Sequence, residues 1–181
     1  MNNYNFESIC RNTNCIDINT NKNLFSNKYS KIFNYSIENL LYNDIIQCRY
    51  EVIQKKDIFS KYGISINGFN NVILGPNFII TIQDKWVKTE PSQNEIINFI
   101  KATKQIDISN PHKYCLGIFI SKIPISPYNL LFFEQENLSQ VNKFISIQSN
   151  TETQVLQELR KILYTYGIYY YELDGSVVML D

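Results

Sequence analysis

Two residues suited to phosphate chemistry, Gln83 and Lys85, stand two positions apart at the end of an apolar segment. Asn70 opens an earlier apolar run, and the Gly75-Pro76-Asn77 between the runs is typical of a turn, so the pattern predicts a β-hairpin. Antiparallel pairing around Pro76 would match positions whose numbers sum to about 152. Asn70 then lies close to Gln83, and we expect Asn70, Gln83 and Lys85 to converge on one small patch.

Two neighbours of this patch have other expected positions. Side chains alternate between the two faces of a strand, so Asp84 should point away from Gln83 and Lys85. Trp86 lies beside the patch, where a partly buried rim aromatic is a commoner role than a platform for stacking bases. The sequence therefore predicts two amides and one ammonium group together, without a carboxylate from the hairpin.

The elements that would position the patch can be read from hydrophobic spacing. Apolar residues at steps of three and four predict a helix over about 36–50. Ser92 and Glu95 form a capping box that starts a helix over about 92–105. The apolar run Tyr114 to Ile120 is typical of a strand covered on both faces. Further elements are a short helix over 129–138, a short strand over 144–147, a helix from Thr151 to Gly167, and a hairpin around Asp174-Gly175.

This order predicts an α/β fold, with a mixed β-sheet flanked by helices. The chain has 181 residues, close to the usual size of a single domain, and we assign that domain to residues 36–181. Residues 1–35 are dense in Asn and Ser, with short apolar insertions, and predict an extended arm or a short hairpin.

Composition excludes several classes of function. The 17 basic and 17 acidic residues balance, so strongly basic, tail-driven nucleic-acid binding is excluded. Four cysteines without a CxxC pair and a single histidine argue against zinc, and the absence of GxxxxGK argues against nucleotide hydrolysis. There is neither a run long enough to span a membrane nor a signal peptide, so we expect an intracellular, non-secreted protein without membrane contact.

On these residues the chain resembles the restriction-endonuclease-like, or PD-(D/E)xK, nucleases, and within them the Mrr-type branch with a Gln-x-Lys motif. Gly68-Phe69-Asn70 matches the family's Gly-x-Asp, and the strand end Ile80 to Trp86 (ITIQDKW) matches its Gln-x-Lys. Similar strand ends occur in proteins of large DNA viruses, with which the 28 Ile and 23 Asn agree. The resemblance covers roughly residues 36–148 and implies a restriction-endonuclease-like core.

The resemblance implies a role for each matching residue. Lys85 would be the catalytic lysine, Gln83 the neutral second-motif ligand and Asn70 the metal-aspartate position. Glu38 or Glu51 would supply the helix glutamate. Together, Asn70, Gln83 and Glu38 would hold Mg²⁺ or Mn²⁺, and the metal would activate water for phosphodiester hydrolysis. The implied partner is DNA, with a homodimer as a further possibility. A viral origin would place the protein in the host cytoplasm or a virus factory.

The sequence departs from the family at Asn70, which is an amide where the resemblance expects a carboxylate. Mg²⁺ is normally retained by one or two carboxylates, so metal affinity should be weak. Three explanations stay open: true loss of the acid, compensation by Glu38 or Glu51, and misalignment. The sequence thus leaves two classes of function. One is a metal-dependent endonuclease. The other is an inactive nuclease-fold protein that binds DNA or serves as a virion or protein-interaction component.

Overall fold

The computed structural model describes residues 31–34, 36–37, 39–40, 51–63, 68–139, 143–165, 170–171 and 177–178. The first helix, α1, comprises the helical residues 31–34, 36–37 and 39–40. The elements that follow are, in chain order, β1 (Glu51–Gln54), α2 (Lys55–Tyr62), β2 (Asn71–Leu74), β3 (Phe78–Lys85), α3 (Gln93–Ile108), β4 (Tyr114–Ser121), α4 (Pro127–Leu138), β5 (Lys143–Gln148), α5 (Glu152–Thr165), β6 (Tyr170–Tyr171) and β7 (Val177–Val178).

The fold is α/β, as predicted, with one five-stranded mixed sheet in the order β1-β2-β3-β4-β5. The first three strands form an antiparallel meander. β4 then joins β3 in parallel and β5 joins β4 in parallel, with α3 and α4 as the connections. β6 and β7 form a separate antiparallel pair, as the predicted hairpin requires, although its expected turn at Asp174-Gly175 lies outside the described residues.

The predicted hairpin between β2 and β3 is confirmed, with a register one residue away from the expected one. Asn71 pairs with Ile82, and Leu74 pairs with Ile79 next to the turn. Seven of the eight residues of β4 are buried, so the prediction of a strand covered on both faces also holds. The hairpin and β4 therefore form the buried centre of the sheet.

Each face of the sheet is covered by its own helices. On one face, α1 and α5 contribute Phe33, Ile37 and Leu159 to a core with Ile80 and Ile82 of β3. We call this the α1 face. The opposite face packs against α3 and α4, and we call it the α3 face. Both predicted caps of α3 are present, because Ser92 accepts from the Glu95 amide and Glu95 accepts from the Ser92 amide.

The region before the hairpin differs from the sequence expectation. Residues 31–34 are already helical, so helix begins before residue 36, and Phe33 belongs to the core and not to an arm. The sequence pattern does not predict β1 or α2, because each element is short. Glu51 is the first residue of β1 and does not belong to a helix. Residues 1–30 and 41–50 lie outside the described part of the chain. Every helix in the described part is too short or too polar to cross a lipid bilayer.

Candidate functional site

The polar residues of interest lie where the parallel strands end. β3 ends at Lys85, which is in register with Ser121 of β4, and Ser121 is in register with Gln148 of β5. The antiparallel β2 begins at the same side of the sheet with Asn71. We call this side the carboxyl edge. In α/β proteins with open sheets, ligands bind in the crevice at the carboxyl ends of the parallel strands.

The last residues of β3 alternate between the two faces. Ile82 and Trp86 belong to the core on the α1 face, so Asp84 between them points to that face. The hydroxyl of Thr81 lies 2.7 Å from that of Thr103 in α3, and Lys85 likewise contacts α3. The prediction that Asp84 faces away from Lys85 is therefore confirmed.

Lys85 makes an ion pair on the α3 face. Its Nζ lies 2.6 Å from Oε1 of Glu95. The other carboxylate oxygen of Glu95 accepts from the backbone amide of Ser92 at 2.8 Å, as part of the capping box. Burial raises the pKa of Glu95, but the hydrogen bonds from Lys85 and Ser92 outweigh this and hold the pKa below its ordinary value. Lys85 is thus bound to the helix that the capping box starts.

Gln83 lies on the same face as Lys85 but is more deeply buried. Only 6% of the residue is exposed, and its Nε2 donates to the backbone carbonyl of Asp84 at 3.1 Å. This contact holds one end of the amide against the strand itself.

Asn70 is on the opposite face from Gln83 and Lys85, so the predicted three-residue patch does not form. The Nδ2 of Asn70 donates to Oδ1 of Asp84 and, at 3.3 Å, to Oδ1 of Asn34 in α1. Asn70 lies in a bend before β2 begins, where the alternation of strand side chains does not apply. Its backbone amide does donate to the Ile82 carbonyl, so the expected pairing of the backbone is present while the side chain turns to the α1 face.

The two candidate helix glutamates have different outcomes. Glu51 pairs with Leu74 at the turn end of the hairpin, three residues from Gln54, which pairs with Asn71. At roughly 3.3 Å per residue, Glu51 is about 10 Å along the strand from the carboxyl edge. Its carboxylate instead accepts from Lys61 at 2.6 Å. Glu51 therefore lies away from the carboxyl edge, and Glu38 lies outside the described residues.

Asn71 is a polar residue to which the sequence assigns no role. It is completely buried, at 0% exposure. Among the described residues, neither its Nδ2 nor its Oδ1 has a hydrogen-bond partner. Because Asn71 pairs with Ile82, its side chain is on the α1 face, the face of Asp84. A buried amide without a hydrogen-bond partner lowers the stability of the fold, so Asn71 is a candidate for a role other than packing.

Trp86 closes the α1 face at the edge. Its ring stacks on Phe33 with centroids 3.8 Å apart and an angle of 7° between the planes. Nζ of Lys122 lies 5.4 Å from the centroid of the same ring. Only 8% of Trp86 is exposed, so the residue is more buried than a rim aromatic and stacking on a base is not available to it.

The predicted metal set does not fit a divalent cation as proposed, because Asn70 and Gln83 point to opposite faces. Within the described ranges, no group of three or more His, Cys, Asp or Glu residues is placed to hold a metal. A different set of polar side chains lies on the α1 face, where the Asn70 amide donates to both Asp84 and Asn34 and the Asn71 side chain is buried on the same face. We call it the Asp84 cluster, and it consists of Asn34, Asn70, Asn71 and Asp84. One carboxylate and several amide oxygens are the ligands that suit Mg²⁺, Mn²⁺ or Ca²⁺, and the buried Asn71 oxygen has no hydrogen-bond partner among the described residues.

Comparison with known proteins adds no relative. No family model matches the chain, and no curated protein matches it.

Proposed function

We propose that the chain is a DNA-binding protein with the restriction-endonuclease-like core, in which Lys85 does not catalyse cleavage. The order of elements supports this proposal. A helix precedes a three-stranded meander, a helix follows, and the next strand joins in parallel. Asn70 precedes β2 and Lys85 ends β3, and this order along the chain supports the resemblance.

The arrangement of charges argues against hydrolysis by the Gln-x-Lys motif. In the mechanism that the resemblance implies, the carboxylate that holds the metal and the lysine ammonium act on the same phosphate. Asp84 and Lys85 are instead on opposite faces of the sheet, and the ammonium group already pairs with Glu95. The Lys85–Glu95 ion pair is the observation on which the non-catalytic proposal depends.

Two other lysines follow the strands at the carboxyl edge. Lys88 comes three residues after the end of β3 and is exposed, and Lys122 comes directly after β4. Both cations can reach a phosphate backbone that runs along this edge. Since the chain as a whole carries no net charge, the contact surface must be local.

A gel-shift titration of the full chain against duplex DNA at several salt concentrations tests the proposal. We expect binding that weakens as salt rises, and the combined Lys88→Ala and Lys122→Ala variant should lower the salt slope by about 0.9 for each lost phosphate contact. Lys161→Ala is the matched control, because this exposed lysine lies about 13 Å along α5 from Glu152, towards the other end of the sheet. Absence of binding at low salt, or equal losses in both variants, would contradict the proposal.

Incubation with plasmid DNA and Mg²⁺ or Mn²⁺ tests the catalytic part. We expect no cleavage at any metal concentration. Cleavage that Lys85→Ala abolishes would overturn the proposal and restore the role that the resemblance gives to Lys85.

A second candidate is metal-dependent hydrolysis centred on Asp84. One observation favours it, because Asp84 contacts Asn70 and so brings a carboxylate next to the position where the family resemblance expects an aspartate. In that case Asp84→Asn would abolish cleavage and Lys85→Ala would retain it. The same plasmid assay therefore separates the two candidates.

A further inference from the structure

We propose that the Asp84 cluster is a binding site for a hard divalent cation. The carboxylate of Asp84 would supply the charge, and the amide oxygens of Asn34, Asn70 and Asn71 would complete the protein ligands. This set is different from the one that the sequence resemblance implies, and cation binding here does not depend on DNA binding.

Two side-chain oxygens, one from Asp84 and one from Asn34, converge on the amide of Asn70. The side-chain nitrogen of Asn70 donates to an oxygen of Asp84 and to an oxygen of Asn34. These two oxygens, from the sheet and from α1, therefore surround the end of the Asn70 amide. A half-turn of that amide exchanges its nitrogen for its oxygen and brings three oxygens together. In that orientation all three oxygens would be able to bind one cation.

The amide of Asn71 is a buried polar group on the same face. Its side chain is on the same face as Asp84 and is fully buried, without a hydrogen-bond partner in the described part of the chain. Asn71 pairs with Ile82, two residues before Asp84, so the two positions are diagonal neighbours about 7 Å apart. A cation between them would give the Asn71 oxygen the partner that it otherwise lacks.

The chemistry of the ligands selects the class of cation. Carboxylate and amide oxygens suit Ca²⁺, Mg²⁺ and Mn²⁺, whereas zinc favours nitrogen and sulfur. Ca²⁺ accepts amide carbonyls in irregular geometry, while Mg²⁺ keeps several waters. Asp84 is only 4% exposed, so we expect Ca²⁺ to bind more tightly than Mg²⁺. With one carboxylate in the set, the affinity should be weak, on the order of 10⁻⁴–10⁻³ M.

Thermal unfolding of the full chain without DNA tests the inference. The midpoint is measured in EDTA and then with rising CaCl₂, MgCl₂ or MnCl₂, with NaCl at matched ionic strength as the salt control. A ligand that binds only the folded state raises the midpoint, so we expect a rise that saturates in the millimolar range with CaCl₂ and is smaller with MgCl₂. No rise beyond that with NaCl would overturn the inference.

Variants assign the effect to the cluster. Asp84→Asn should lose the rise, and Glu95→Gln should keep it, because Glu95 is a carboxylate at the same edge on the opposite face. Asn71→Leu should unfold at a higher temperature in EDTA and respond less to the cation, since it removes the orphaned amide. A full response in both Asp84→Asn and Asn71→Leu would refute the site.

Asn70→Asp tests whether a second carboxylate strengthens cation binding. A second carboxylate beside Asp84 repels it until a cation neutralises the pair. The variant should therefore unfold at a lower temperature than the wild type in EDTA and show a larger rise with CaCl₂. An unchanged response would count against the inference. Because no DNA is present, failure here leaves the DNA-binding proposal untouched, and failure of the gel shift leaves the cation site untouched.

Discussion

Replacement of Lys85 by Ala is expected to lower the free energy of unfolding through the loss of its contact with Glu95. The Nζ–Oε1 distance is 2.6 Å, and the two side chains are 27% and 38% exposed. Fully exposed ion pairs contribute about 0.2–1 kcal/mol, because solvent screens them. Since this pair is partly shielded and Glu95 is held in place by Ser92, we expect a coupling free energy near the upper limit, about 1 kcal/mol.

A double-mutant cycle measures this coupling. The free energies of unfolding of the wild type, Lys85→Ala, Glu95→Ala and the double variant are obtained by urea denaturation. Glu95→Ala also removes half of the capping box, which costs about 1 kcal/mol more, but this cost appears in both arms and cancels. A coupling below about 0.3 kcal/mol would refute the structural role of Lys85, because that is the usual scatter of additive pairs.

The pH dependence of the same variants gives a second check. The pKa of Glu95 in the folded state is below its ordinary value of 4.5. A carboxyl group with a lowered pKa contributes stability that is fully present above its unfolded pKa and is lost as the pH falls through the folded pKa. We therefore expect the wild type to lose more stability than Glu95→Gln when the pH is lowered below about 4.5. Parallel curves would contradict this assignment.

Three further predictions concern the core on the α3 face. Thr81→Val should lower the free energy of unfolding, measured in urea, by about 1–2 kcal/mol, because it leaves the buried hydroxyl of Thr103 without its partner at 2.7 Å. Replacing both Thr81 and Thr103 by Val should lower it by less than the sum of the two single replacements. Gly117→Ala should cost about 1–3 kcal/mol by the same measurement, because overpacking a core displaces its neighbours. Its new Cβ would meet the buried ring of Phe144 at 2.6 Å. Burial raises the pKa of the Cys115 thiol to about 12, helped by the charge of Asp107, so iodoacetamide at pH 8 should alkylate Cys115 only after unfolding, as peptide mapping would show.

The sequence was informative wherever a local signal specified the element. Gly75-Pro76-Asn77 specified the hairpin turn, and the spacing of Ser92 and Glu95 specified the start of α3. The unbroken apolar run of β4 indicated a strand covered on both faces. Each of these signals involves residues close together in the chain, so no knowledge of tertiary contacts was needed.

The candidate site depended on contacts that local signals do not contain. Alternation correctly separated Asp84 from Lys85, but it could not describe Asn70, whose side chain is positioned by a bend before the strand. The partner of Lys85 is Glu95, a capping residue ten positions further along the chain on another element. Phe33 was assigned to an arm because its helix has no strong start signal, and so the contact of α1 with the carboxyl edge was missed. The signal that was available and overlooked was Asn71, an amide at a position where the strand pattern requires a buried residue.

The stacking of Phe33 on Trp86 provides an intrinsic fluorescence probe of the contact between α1 and the sheet. Trp86 is the single tryptophan of the protein, so all indole fluorescence originates at the carboxyl edge. Its ring is in contact with an aromatic residue of α1 and faces the ammonium group of Lys122. Any event that lifts α1 from the sheet would admit water to the indole and shift its emission to longer wavelengths. Undocking of this helix can therefore be followed in solution without a label.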